Sequence, residues 1–154
     1  MTIRKNVRFY QTPLERLQLS HKLEQPQIVI HEQKNFYKVL FANPLVNEVV
    51  EREFLFNQNE VPFALVKSFI PNTYLKKGMN KGTNLEQLID EFYQIKKIKK
   101  EYLLTWPTPE EAEILRIIGD GQVIIEKQLF LDKDNKVIRY EEEISNPEAY
   151  IYEE

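Results

Sequence analysis

The sequence has no cysteine, which excludes disulfides and thiolate metal centres. Its two histidines, His21 and His31, fall in different expected elements, and their spacing makes no metal site. Only four glycines occur in 154 residues; there is no glycine-rich phosphate loop and no G-x-S-x-G. No apolar run approaches the length needed to span a membrane, and Met1 to Asn6 lacks the apolar core of a signal peptide. The expectation is a cytoplasmic protein with no membrane partner, no metal and no cofactor. A strong charge of one sign is also lacking: the net charge is −3, which argues against direct nucleic-acid contact.

What is present is an ordinary globular composition, long enough for one real core and too short for two. One domain over residues 1–154 is expected, as a monomer or dimer. The stretch from Val49 to Pro71 organises it: two β-rich runs flank Asn57-Gln58-Asn59-Glu60, which reads as an antiparallel hairpin. Thr12-Pro13-Leu14-Glu15 predicts a helix that ends near Gln25-Pro26, and Gln27 to Gln33 predicts a strand. Phe36 to Ala42 reads as strand or irregular. Asn72 to Gly82 reads as a mobile loop. The capping box Thr83-Asn84-Leu85-Glu86 opens a helix with Leu85, Leu88, Ile89 and Phe92 on one stripe. Ile95 to Trp106 predicts a strand whose lysines suit a solvated edge. Thr108-Pro109-Glu110-Glu111 opens a short helix through Leu115. Val123 to Leu131 and Lys136 to Ile144 predict strands around the turn Asp132 to Asn135, and the tail adds a last edge strand. Hairpin connections dominate, so the fold class is α+β: an antiparallel sheet with flanking helices on one face.

Alternation puts Arg52 on the same strand face as Phe54 and Phe56. A guanidinium on an apolar face has to find an anion or acceptors. In the run Glu141-Glu142-Glu143, alternation sends Glu142 to the face of Tyr140 and Ile144, and Glu141 and Glu143 to the other. A carboxylate among apolar neighbours has a raised pKa, as a general acid or base needs. Arg52 and Glu142 are therefore the candidate pair, read either as a buried structural ion pair or as a pocket in which Arg52 holds a substrate carboxylate and Glu142 handles a proton. The expected partner is a small acidic ligand.

At these residues the chain resembles the chorismate-lyase/UTRA superfamily. Leu19-Ser20-His21-Lys22-Leu23-Glu24, and Arg52-Glu53-Phe54-Leu55 followed by Pro62 and Ser68-Phe69-Ile70-Pro71, resemble the lyase branch. So does Gly82-Thr83-Asn84-Leu85, and Glu142 falls at the catalytic glutamate's place. Pro62 to Pro71, Thr108 to Leu115, Asp134 to Tyr140 and Glu148-Ala149-Tyr150 resemble the UTRA domain, the effector-binding half of many GntR-type repressors. Compared with that domain, Arg52 stands alone where an R-x-R is usual, and Arg139 takes a glutamate's place. Compared with the lyases, Glu86 replaces a loop glycine and Lys67 a hairpin arginine. The resemblance implies two functions. One is elimination of pyruvate from chorismate to give 4-hydroxybenzoate, with Arg52 and Glu142 catalytic and Leu19, Lys67, Ser68 and Leu85 binding substrate. A chain without a winged-helix region ahead of the domain suits this enzyme reading. The other is a non-catalytic UTRA-like effector-binding domain linked to transcriptional regulation.

Overall fold

The computed structural model describes residues 3–6, 27–32, 39–43, 46, 48–58, 60–79 and 85–153. Eight strands lie among them: β1 (Ile3–Asn6), β2 (Gln27–Glu32), β3 (Glu48–Gln58), β4 (Val61–Pro71), β5 (Lys97–Thr105), β6 (Val123–Leu131), β7 (Val137–Ser145) and β8 (Tyr150–Glu153). Two helices accompany them, α1 (Leu85–Phe92) and α2 (Pro109–Ile114). Six strands form one antiparallel sheet in the order β2-β3-β4-β7-β6-β5. The β3–β4 hairpin forms as its alternation requires, but the strands run further into the turn than expected and accommodate it with a bulge between Phe56 and Asn57. In the β6–β7 turn, Asp132 Oδ1 accepts hydrogen bonds from the backbone N–H groups of Asp134 (2.9 Å) and Lys136 (3.0 Å), the local bonding that makes Asp a turn residue.

Three features depart from the sequence reading. Residues 39–41 are helical, within the stretch expected to be strand or irregular. The tail strand β8 does not extend the main sheet but pairs in parallel with β1. The helices flank both faces rather than one. Leu85 and Ile89 of α1 pack on Ile70, whereas Leu115, closing α2, packs on Leu65 and Ile144, which point the other way. Phe41, Val46, Val49, Phe69 and Tyr140 form a further buried cluster on the α2 side. The expected helix from Thr12, its residue Leu19 and the Thr83 capping box lie outside the described residues. The start of the expected mobile loop is anchored: residues Asn72–Tyr74 form a 3-10 turn, Tyr74 is buried, and the Tyr93 hydroxyl donates to its carbonyl at 2.7 Å.

Helix α2 follows its sequence signal closely. Thr108 Oγ1 accepts from the Glu111 N–H at 3.2 Å, and Glu111 Oε1 accepts from the Thr108 N–H at 2.9 Å. Replacing Thr108 by Ala should cost about 1 kcal/mol through loss of this cap. Ile89→Ala, which strips a fully buried contact between α1 and the sheet, should cost about 2–5 kcal/mol. Urea denaturation of both variants checks the ordering.

Candidate functional site

In a sheet, residues paired in register project to the same face. Arg52 pairs with Ser68, Ser68 with Glu141, Glu141 with Gln128, and Gln128 with Lys100. One polar row therefore crosses the sheet on the α1 side. Arg52, Ser68, Glu141 and Gln128 are each 0% exposed. Phe54 and Phe56 are equally buried, and the Arg52 guanidinium carbon lies 5.1 Å from the Phe54 ring centre, as the alternation of β3 requires.

Arg52 Nη1 donates to both carboxylate oxygens of Glu86, at 2.9 and 2.8 Å. Burial pulls the guanidinium pKa below its ordinary value, and the charge and hydrogen bonding of Glu86 oppose that shift. Two strands over, on β7, Arg139 donates through Nε and Nη2 to the two oxygens of Asp90 (2.7 and 2.9 Å), and through Nη1 to Glu141 (2.6 Å). It lies 3.5 Å from the centre of the Phe130 ring. Burial alone lowers its pKa, but Asp90 and then Glu141 more than reverse this and raise it. Ser68 Oγ and Gln128 Oε1 have no hydrogen-bond partner among the described residues, while Gln128 Nε2 donates to Glu126 at 2.7 Å.

The expected pairing of Arg52 with Glu142 in one pocket is corrected by the register. Glu142 pairs with Lys67 on β4 and Lys127 on β6, so it projects to the opposite face from Arg52, together with Lys67. The sheet separates the two by one step of strand alternation. Ser68 joins Arg52, and Leu85 sits on the α1 that covers this face; Glu141 is the carboxylate that shares the row. Glu142 instead accepts a 2.6 Å bond from the Tyr140 hydroxyl and lines a cavity of about 710 Å³ on the far face. Burial first, then Glu142, pushes the Tyr140 pKa well above its ordinary value of 10.0. Glu86 and Asp90, the carboxylates that hold the two arginines, were not singled out as site residues from sequence. Their signal was present: they stand at i and i+4 of α1, each directly after a buried residue of the apolar stripe, Leu85 and Ile89.

Comparison with known proteins places this fold. No protein-family model matches the chain, and no curated protein does. Solved structures match it closely in shape. PhnF from Mycobacterium smegmatis superposes with a TM-score of 0.72 at 11% identity, over 99% of this chain and 70% of that one. The ligand-binding domain of a GntR-family transcriptional regulator from Bordetella bronchiseptica gives 0.66 at 12% identity, over 87% and 88%. A GntR-family regulator from Bacillus cereus gives 0.66 at 12% identity, over 86% and 96%. The chain shares its fold with these regulator structures, among them the Bordetella ligand-binding domain.

Two measurements check the electrostatics. Arg139→Met removes the cation that meets the buried carboxylate of Glu141 and the partly exposed one of Asp90, and should cost about 3–5 kcal/mol in urea unfolding. Tyr140 has a raised folded-state pKa, so its contribution is present below pH 10 and is lost as pH rises beyond it. Stability should therefore fall more steeply above pH 10 in the wild type than in Tyr140→Phe.

Proposed function

We propose that the chain is a non-catalytic small-molecule-binding domain of the effector-sensing kind, acting in transcriptional control in the cytoplasm, and that its ligand contacts the Arg52 face of the sheet. The observation that supports this is the pair of fully buried polar atoms, Ser68 Oγ and Gln128 Oε1, without partners among the described residues and in one cross-strand row with Arg52. An unmade hydrogen bond at a buried group costs about 1–3 kcal/mol, which a ligand carrying hydroxyl or amide groups offsets. Arg52 favours an acidic group on the same ligand, and that group shares Arg52 with Glu86 or displaces it. The structural neighbours, described as ligand-binding and effector domains of regulators, support the same class.

Chorismate elimination needs a carboxylate clamp and a proton-transfer group on one substrate. Arg52 and Glu142 project from opposite faces, and Glu141, which shares the Arg52 row, is held by Arg139. Neither arrangement favours turnover. A thermal-shift screen of small carboxylic and phosphorylated metabolites, chorismate included, tests the reading. A ligand at about 100 times its Kd should stabilise the fold by about 2.7 kcal/mol. Ser68→Val should remove that shift, and chorismate should yield no 4-hydroxybenzoate. Release of 4-hydroxybenzoate and pyruvate, absence of any stabilising metabolite, or a shift unchanged in Ser68→Val would contradict it.

A further inference from the structure

The far face of the sheet carries a second arrangement. Lys67, Glu142, Lys127 and Glu101 pair in register across β4, β7, β6 and β5, giving a row of alternating charge. Apolar rows flank it: Tyr140 and Leu129 on one side, Ile144 and Ile125 on the other. They belong to two separate apolar clusters, one packed by Phe41 and the other by Leu115. Between them opens the cavity of about 710 Å³, whose walls include Leu40, Leu129, Ile125, Lys127, Glu101 and Glu142. That volume lies in the range of small-molecule sites, roughly 300–1,000 Å³.

Opposite charges on adjacent strands ordinarily meet as cross-strand pairs. Here Lys127 makes no salt bridge with either register neighbour among the described residues, and the group that bonds Glu142 is the Tyr140 hydroxyl. Ammonium and carboxylate groups thus stand side by side between apolar walls. We propose that this cavity binds a small zwitterion with an apolar body, of the α-amino-acid type with a large hydrophobic side chain. Its carboxylate meets Lys127 and Lys99, and its ammonium meets Glu142 and Glu101. Its side chain lies against Leu40, Leu129 and Ile125. A ligand bearing one charge matches one sign of the row and desolvates the other without return. The site leaves the opposite side of the strands from Arg52, so it stands apart from the effector reading.

Isothermal titration of the full chain tests this with three probes: L-phenylalanine, phenylacetate, which lacks the ammonium, and phenethylamine, which lacks the carboxylate. L-phenylalanine should bind at one site at least about tenfold more tightly than either single-charge probe, a difference of about 1.4 kcal/mol. Lys127→Met and Glu142→Gln should each weaken it by about tenfold or more, with unchanged circular dichroism. Ser68→Ala, on the other face, should leave it unaltered. No saturable binding of L-phenylalanine, equal affinity for a single-charge probe, or full affinity in both far-face variants would overturn the proposal. None of these results depends on whether a ligand occupies the Arg52 row.

Discussion

Helix α1 is held to the sheet by two ion pairs, Glu86 to Arg52, which is buried, and Asp90 to Arg139, which is buried on the arginine side and partly open on the aspartate side. The helix is eight residues long, and its stripe contributes Leu85 and Ile89 to the apolar contact. That is little surface for a short helix. The guanidiniums supply the remaining specificity, and once buried they have to be matched. The position of α1 and the chemistry of the face beneath it are therefore one problem. In the effector reading, a ligand acid that takes Arg52 from Glu86 also releases one of the two anchors of α1. In that reading, the ligand and Glu86 compete for one guanidinium, and the hold of α1 on the sheet depends on which of them has it.

The second constraint is the register of the central strands. A single residue step decides whether a side chain meets α1 or the far cavity. Lys67 and Ser68 are sequence neighbours with opposite fates, and so are Glu141 and Glu142. The sheet thereby carries two unlike polar arrangements back to back: closed arginine clusters on one side, and on the other an open row of alternating charge. Among the described residues no cluster of His, Cys, Asp or Glu is placed to hold a metal ion.

Much of the architecture was legible because it is local. The limits of β6, the hairpin from Glu48 to Pro71 and the Thr108 capping box follow from alternation and turn chemistry read directly along the chain. The orientation of Arg52 with Phe54, and the split of Glu142 from Glu141 and Glu143, were legible for the same reason. What could not be read was the relation between β3 and β7, because β4 lies between them and its register fixes the parity. Arg52 and Glu142 each looked inward, and both do, but toward different sides. The helical turn at 39–41 was hidden by an apolar run too short to show a period. The parallel β1–β8 pair joins the two ends of the chain, and no local signal predicts such a contact.

The central claim is that a small molecule binds on the Arg52 row without being turned over. Amide chemical-shift mapping of the intact chain, titrated with the metabolite that most stabilises it, tests this most directly. The account predicts perturbations centred on Arg52, Ser68 and Gln128 and carried into α1 through Glu86, with the ligand recovered chemically unchanged. Perturbations confined to loops away from this face, or recovery of the ligand as a reaction product, would contradict it.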